Sequence, residues 1–367
     1  MKHFFAFIIA LHGALHFLGV VKAYRLADLP QLTQPISREM GIAWLFAGAA
    51  LIVTAGLLIK APRAWWMAGL GAVVLSQMVI LSSWSDAKAG TIVNVFLLCV
   101  ALHGFASEGP WGLASAYRHE VKARLAQAVS PELVTEADLK DLPLPVQRYL
   151  RVTGSIGQPR VHHFRATWRG RIRSGPGDPW MTFSAEQHNF IDEPSRFFLM
   201  DARRGGLPVD VFHAFDDRSA RMKVRLLSIF PLVNVDGPDL RRAETVTLFN
   251  DLCLLAPAEL VGPSVTWERI DERSARGFFT VEAHTISAVL SFNDAGELVD
   301  FVSDDRLALS SDGADFTSQR WSTPVGNYQR LGGRVVMTRG EGRWHPPEGS
   351  FTYLELELLD LETNGGP

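Results

Sequence analysis

The chain has 367 residues, 47% of them hydrophobic, and its formal net charge is −3. This balance speaks against nucleic acid as a partner, because no overall basic surface is available to attract phosphates. The length predicts two or three structural units rather than one. Hydrophobic residues dominate positions 1–107, whereas the remainder has the composition of an ordinary soluble domain. We therefore expect a membrane-embedded N-terminal part followed by a domain outside the bilayer.

Four apolar runs occupy the N-terminal part, each close to the roughly 20 residues that cross a bilayer core. Short polar links with prolines separate the runs, and tryptophans lie near their ends, as is typical of membrane interfaces. No small-residue cleavage site follows the first run, so we interpret it as a span rather than a signal peptide. The predicted transmembrane helices cover residues 4–21, 41–59, 64–84 and 90–106.

An even number of spans places both termini on the same side of the membrane. That side carries slightly more Lys and Arg near the spans than the other side, and such residues favour the cytoplasm. The sequence thus predicts a multi-pass protein of the bacterial inner membrane with cytoplasmic termini. A periplasmic location of both termini is the alternative.

Several polar residues interrupt the predicted spans. His12 and His16 are four positions apart and therefore lie on one face of the first helix. Antiparallel packing would place Gln77 and Asn94 at a comparable depth, with Asp86 near the membrane surface just before the fourth span. Polar groups inside a bilayer need a partner or a function. We predict that these five side chains form a polar pocket.

Two interpretations of this pocket remain open at the sequence level. In the favoured one, neutral imidazoles hydrogen-bond to amide side chains of neighbouring helices, each pair contributing about 0.6 kcal/mol. In the other, the histidines bind haem, quinone or a metal. A metal site would need a third or fourth ligand, which only Asp86 would supply. We therefore predict no metal and no cofactor.

The second half of the chain changes from helical to strand periodicity. A charged helix is predicted over 112–128 and two short helices over 130–154. From Val161 onward about ten segments alternate between apolar and polar residues, as half-buried antiparallel strands do. The turn Asn293–Gly296 joins two of them, and one helix is predicted over 243–260.

These patterns predict an α+β protein. Its parts are a four-helix transmembrane bundle (1–107), a helical linker (108–154) and a β-rich half-barrel (155–367) whose curved antiparallel sheet is covered by one helix. Bulky side chains on the strands are expected to line an apolar ligand cavity on the concave face; they are Phe164, Trp168, Phe183, Phe198, Met222, Leu290 and Phe292.

Longer motifs carry a resemblance to known families. The stretches LPQLTQPISREMG (29–41), WSDAKAGTIVN (84–94), LPLPVQRYLRVTG (142–154) and 266–301 resemble an uncharacterised bacterial membrane protein family, a domain of unknown function. The four-span part, with LHFLGVVKA early in it, resembles DoxX-type membrane bundles. The strand-rich part resembles lipoprotein-carrier half-barrels of the Lol type, in which a curved sheet and a helical lid hold acyl chains. That resemblance implies a lipid or another apolar molecule as ligand.

The sequence contains few signals of catalysis. The sequence contains no G-x-S-x-G, H-E-x-x-H, P-loop or G-x-G-x-x-G pattern. Asp251 and Glu259 on the predicted helix are a candidate acid/base pair, although capping or solvent-exposed roles are commoner. His213 is expected in the core or in a pocket wall. A basic strand face, either solvated or facing lipid phosphates, consists of Arg165, Arg169, Arg171 and Arg173.

We therefore expect a membrane-anchored protein that binds a lipid or other apolar small molecule in its half-barrel domain, without catalysis. One alternative is a membrane oxidoreductase or sensor that uses the His12/His16 pocket. Another is a structural or partner-binding membrane subunit. The expected partners are the lipid bilayer and an apolar ligand but not nucleic acid, and the sequence specifies no protein partner.

Overall fold

The computed structural model describes residues 2–125, 132–216, 218–282, 284–310, 313 and 315–365. The chain divides into two compact units, Met1–Ser115 and Ala116–Pro367. The segment predicted as a linker, 108–154, contains the boundary between them. Its residues 126–131, which belong to two of the predicted helical stretches, lie outside the described residues.

The first unit is helical. Helix α1 packs against α2, α2 against α3, α3 against α5, and α5 against α1, which closes a bundle. Four helices in the described residues are long and apolar enough to cross a membrane, beginning at Lys2, Arg38, Trp65 and Gly90. This confirms a helical N-terminal part with four candidate spans. The helices are α1 (Lys2–Ala23), α2 (Arg38–Lys60), α3 (Trp65–Ser82), the short α4 (Trp84–Ala87) and α5 (Gly90–Glu108).

Helices α1 and α2 approach closely at a pair of glycines. A Cβ atom on Gly13 would lie 2.9 Å from the carbonyl oxygen of Gly48, and one on Gly48 would lie 2.8 Å from that of Gly13. Small residues allow such approach between apolar helices, where van der Waals packing supplies much of the association energy. Any larger side chain at either position would therefore separate the two helices.

Within its described residues, the second unit contains three α-helices, two 3₁₀ turns and sixteen strands. Helix α6 (Leu113–Leu125) begins at the end of the first unit and is followed by a 3₁₀ turn (Glu136–Leu139), α7 (Leu144–Val152), α8 (Pro238–Leu255) and a second 3₁₀ turn (Pro257–Val261). The strands are β1 (His163–Ile172), β2 (Met181–Phe190), β3 (Ser195–Arg204), β4 (Leu207–Phe215), β5 (Ala220–Leu226), β6 (Phe230–Asp236), β7 (Val265–Arg269), β8 (Ser274–Val281), β9 (His284–Phe292), β10 (Leu298–Ser303), β11 (Leu307–Leu309), β12 (Phe316–Ser318), β13 (Trp321–Ser322), β14 (Val325–Leu331), β15 (Arg334–Trp344) and β16 (Phe351–Thr363).

Fourteen of these strands form one antiparallel sheet. Its order is β6-β5-β4-β3-β2-β1-β16-β15-β13-β10-β9-β8-β7, with β14 paired to β15, while β11 and β12 form a separate hairpin. The first and last strands, β1 and β16, are neighbours, and Phe164 lies opposite Thr363. The predicted turn at Asn293–Gly296 is present between β9 and β10, and Gly296 has φ 85°.

Helix α8 lies inside the curve of the sheet. It contacts β5 and β6 near one end of the strand order, β9 and β10 near the other, and β15 between them. Pro238 is accepted in its first turn, where a backbone N–H would have no helical partner. The helix ends at Leu255 because Pro257 disfavours helical geometry at the residue before it. The predicted α+β half-barrel with one covering helix is confirmed, although this helix begins five residues earlier than the predicted 243–260.

Candidate functional site

A cavity of about 540 Å³ lies between the concave face of the sheet, helix α8 and the β11–β12 hairpin. Strand β3 shows how the sequence builds it. Because side chains alternate along a strand, Phe198, Met200 and Ala202 all face the cavity. The same face carries Arg196 at the buried end of the strand and Arg204 at its exposed end. The wall is thus apolar along its length and charged at both ends.

Most of the remaining wall is aliphatic or aromatic. It is formed by strands β4 and β5, by α8 and by the β11–β12 hairpin through residues such as Val211, Val224, Leu240, Leu254, Leu307 and Phe316. The volume falls within the range of about 300–1,000 Å³ found for small-molecule sites. Removing apolar ligand surface from water in such a site contributes about 25 cal/mol per Å².

The seven residues predicted to line the cavity divide into two groups. Four of them line it, namely Trp168, Phe183, Phe198 and Met222. The other three belong to the packed hydrophobic core instead, namely Phe164, Leu290 and Phe292. Phe292 packs on the ring of Tyr149 from α7, with 5.5 Å between ring centroids. Alternation identifies the inward face of a strand, but it does not show which part of that face a helix covers.

Five ionisable residues lie together beside this apolar wall, and we call them the buried ionic cluster: Arg196, His213, Glu244, Asp251 and Arg306. Arg196 Nε donates to Asp251 Oδ2 at 2.7 Å, and its Nη1 donates to Glu244 Oε2 at 3.2 Å. Two neutral donors bond to the same Asp251 Oδ2 atom: Gln187 Nε2 at 2.6 Å and Asn189 Nδ2 at 3.1 Å. These bonds tie α8 to strands β2 and β3.

Burial and pairing act in opposite directions on these charges. Burial disfavours ionised Arg196, but the facing Asp251 and Glu244 carboxylates raise the pKa of its guanidinium. Burial also disfavours ionised Glu244, but His213, Arg196 and Arg306 hold the pKa of that carboxyl well below its usual range. Removing one partner of such a pair leaves a buried charge uncompensated, at a cost of about 3–5 kcal/mol. Asp251 shows the opposite balance, because burial raises the pKa of its carboxyl despite the bonds from Arg196 and Asn189. The members of the cluster are therefore paired mainly with one another.

The part of the cluster around Arg306 is less completely bonded. Glu244 Oε1 lies 3.4 Å from His213 Nδ1 and 3.7 Å from Arg306 Nη2. His213 Nδ1 and Arg306 Nε are buried and have no hydrogen-bond partner among the described residues. The Arg306 guanidinium lies over two rings that line the cavity, 5.5 Å from the Trp321 centroid and 5.9 Å from that of Trp344. An unsatisfied buried polar group costs about 1–3 kcal/mol, so these atoms favour a ligand that bonds to them.

The sequence predictions for α8 and for His213 have mixed outcomes. His213 lies in the cavity wall, which is one of the two expected positions. Asp251 is buried in the ionic cluster, whereas Glu259 accepts from the backbone N–H of Val161 at 2.6 Å and lies 3.8 Å from Arg160. The structure therefore places the two candidate acid/base carboxylates in different surroundings.

Sequence reasoning missed three members of the cluster: Arg196, Glu244 and Arg306. For Arg196 a signal was available, because it lies two residues before Phe198 and so shares the inward phase of β3. A charged residue among the inward-facing, otherwise apolar positions of a strand is typical of a buried ion pair or a binding site. Arg306 lies between β10 and β11, where no periodicity indicates its orientation.

The predicted basic face of β1 is neutralised by carboxylates. Arg169 pairs with Glu357 at 2.9 Å and Arg171 pairs with Glu355 at 2.6 Å, both on the neighbouring strand β16. Arg165 likewise pairs with Glu186, and Arg173 donates to backbone carbonyl groups. A depression of about 830 Å³ along these ion pairs shares Phe183, Val325 and Leu356 with the cavity wall. Because Arg169 and Arg171 are already paired, it is the weaker candidate site.

In the first unit, four of the five predicted polar residues meet. His12 Nε2 donates to Asn94 Oδ1 at 3.1 Å, and Asn94 Nδ2 donates to Gln77 Oε1 at 3.0 Å. His16 Nδ1 donates to the carbonyl of His12 at 2.9 Å, which leaves Nε2 to accept from the Ser76 hydroxyl at 2.9 Å. Ser76 is a member that sequence reasoning missed. The contacts are those of an interhelical hydrogen-bond network.

Asp86, the fifth predicted member, has other partners. Its carboxylate accepts from the Thr33 hydroxyl at 2.7 Å and from the Gln34 backbone N–H at 2.9 Å, both in the segment before α2. Asp86 thereby holds that segment against the short helix α4. Within the described residues, no group of three or more His, Cys, Asp or Glu side chains is arranged to hold a metal ion.

The fold and the cavity define a class of α+β protein in which a curved antiparallel sheet encloses a mainly apolar pocket beside a central helix. The chain belongs to a family of unknown function, DUF6544, whose model matches residues 132–356. This range covers most of the second unit.

Solved structures of low sequence identity resemble the chain. A LolA superfamily protein from Nitrosomonas europaea has 11% identity and a TM-score of 0.35, over 61% of this chain and 93% of that one. A DUF1329 family protein from Desulfovibrio piger has 13% identity and a TM-score of 0.35, over 64% and 95%. A putative outer membrane lipoprotein-sorting protein domain from Vibrio parahaemolyticus has 11% identity and a TM-score of 0.32, over 56% and 86%. No curated protein matches the chain.

Proposed function

We propose that the second unit binds a lipid or another apolar small molecule in the cavity beside α8, without catalysing its conversion. The observation that carries this proposal is the 540 Å³ cavity itself, with an apolar wall supplied by strands, helix and hairpin. Small-molecule sites are typically concave and mainly apolar, with a few polar groups that orient the ligand. This cavity has the same character, so an apolar ligand would bury much of its surface in it.

The bundle of the first unit serves, in this proposal, as a membrane anchor of the DoxX-like kind. Four helices of sufficient length and apolarity support it. Residues 1–107 then form the anchor, 108–154 the link and 155–367 the ligand-binding domain. The distribution of Lys and Arg favours a bacterial inner membrane location with cytoplasmic termini.

A substitution that fills the cavity tests this proposal. Val211 on β4 lines it and is half-buried, so Val211→Trp would place an indole ring in the space of the ligand. The assay measures binding of radiolabelled dodecanoate to the full-length protein in phosphatidylcholine nanodiscs. We expect the affinity to fall at least about tenfold, equivalent to about 1.4 kcal/mol. Empty nanodiscs give the background from partitioning into lipid.

The matched control is Leu199→Trp on the neighbouring strand. Leu199 is also half-buried, but it lies out of phase with the cavity-facing residues of β3. Its substitution is expected to leave binding within about twofold of the unmodified chain. Equal binding by the Val211 variant, or no binding above background by the unmodified chain, would refute the proposed function.

A further inference from the structure

The buried ionic cluster suggests which apolar ligand the cavity takes. We propose that the ligand is a single-chain amphiphile with a carboxylate head group, and that Arg306 and His213 bind this carboxylate. The inference rests on the proposed function, since it assigns the polar end of a molecule whose apolar part occupies the cavity. It follows from how completely each member of the cluster is already bonded.

Arg196 and Asp251 bond to each other and to further protein groups. Arg196 uses Nε for Asp251 and Nη1 for Glu244 and is 7% exposed, and the Asp251 carboxylate accepts from three side chains. These two residues therefore hold α8 against the sheet. Their bonded atoms are thus already engaged by the protein.

Arg306 and His213 are less completely bonded. Arg306 Nε and His213 Nδ1 are buried without a hydrogen-bond partner among the described residues, and both side chains line the cavity. Each lies within 4 Å of the same oxygen, Glu244 Oε1, so the two groups are close neighbours. The Arg306 guanidinium, a permanent cation, and the His213 imidazole therefore approach the same part of the cavity wall, where together they can donate to the two oxygens of a carboxylate.

The charges of the cluster favour an anion over a cation. Arg196 and Arg306 balance Glu244 and Asp251 in number, and both carboxylates already have basic side chains within 4 Å. An ammonium head group would therefore lie beside Arg306 with no unpaired carboxylate to face it. A hydroxyl head group offers a single uncharged oxygen, so its hydrogen bonds to Arg306 and His213 would be fewer and weaker than those of a carboxylate.

The experiment compares three ligands of equal chain length: dodecanoate, dodecanol and dodecylamine. Radiolabelled forms are bound to the full chain in phosphatidylcholine nanodiscs, with empty nanodiscs as background. We expect dodecanoate to bind at least about tenfold more tightly than either of the others, because it alone offers charge-assisted bonds. In the variant Arg306→Met, dodecanoate binding should fall to the level of dodecanol, while dodecanol binding stays within about twofold.

A matched variant tests whether position decides the result. Arg320→Met removes an arginine from the same part of the chain, but Arg320 pairs with Asp304 and is 56% exposed at its side chain. It should retain the preference for dodecanoate.

If dodecanol binds the unmodified chain as tightly as dodecanoate, the head-group inference is overturned while the proposed function stands. If no ligand binds above background, both fail. The ligand comparison needs no variant, so misfolding of the Arg306 variant would not obscure the outcome.

Discussion

At the scale of single residues, Asp300 on β10 illustrates how burial alters a charge. Its Oδ1 atom is buried without a hydrogen-bond partner among the described residues. Burial raises the pKa of Asp300 to about 6, and the backbone N–H groups of Phe301 and Thr323 together with Arg343 oppose this only in part. The folded chain therefore holds the Asp300 proton more tightly than the unfolded chain does.

This difference predicts a pH-dependent effect of Asp300→Asn. The stability that protonated Asp300 contributes is complete below its usual pKa of 3.8 and is lost as the pH rises through about 6. The asparagine variant avoids that loss. It should unfold at a higher temperature than the unmodified chain at pH 8, by an amount corresponding to about 1 kcal/mol after solvent screening, and match it at pH 4.

Thermal unfolding of the full chain in nanodiscs at both pH values measures this effect. Asp201→Asn on the exposed face of β3 serves as the control and should show little difference at either pH. If Asp300→Asn stabilised the protein equally at pH 4 and pH 8, the raised pKa of Asp300 would be contradicted.

At the scale of elements, helix α8 depends on space left by the strands around it. Phe249 of α8 stacks on Phe279 of β8 with ring centroids 5.2 Å apart. Gly277 on the same strand lies beneath that ring, and a Cβ atom there would approach Phe249 Cζ to 2.6 Å. The absence of a side chain at this position allows the helix to lie close to the sheet.

We therefore expect Gly277→Ala to destabilise the protein. Forcing Phe249 aside in a packed core costs about 1–3 kcal/mol, and for a unit of this size each kcal/mol lowers the unfolding temperature by about 2–4 °C. The control is Gly326→Ala on β14, where an added Cβ meets no atom of the described residues within 4 Å. Equal unfolding temperatures for the two variants would show that α8 does not need the space at Gly277.

At the scale of the whole molecule, the polar network in the bundle and the ionic cluster in the half-barrel lie in different compact units. The ring nitrogens of His16 and one of His12 already have hydrogen-bond partners within the bundle. A packing role for these histidines and a ligand role for the half-barrel together predict that the two sites function independently.

Replacing His12 and His16 together with leucine tests this independence. We expect dodecanoate binding to stay within about twofold, because the interhelical bonds that are lost contribute only about 0.6 kcal/mol each. Val211→Trp in the same assay shows that a loss of binding is detectable. A tenfold loss in the double variant would instead support the alternative in which the histidine network takes part in function.

The sequence by itself determined the parts of this protein that depend on local order. Apolar runs of bilayer length predicted the four candidate spans, alternation predicted strands such as β3, and the Asn293–Gly296 turn predicted the β9–β10 hairpin. Each of these features depends on a pattern of neighbouring residues that can be recognised within about 20 positions of the sequence.

Only the tertiary structure decided the site. The first and last strands pair across about 200 residues, and Arg196 meets Asp251 across 55. The cavity exists where α8 leaves part of the concave face uncovered, which is why Phe198 lines it while Phe292, equally apolar, is packed under α7. Periodicity states which way a side chain points. Whether it meets a helix, a charge or an open space depends on residues that are distant in the chain and adjacent in the fold.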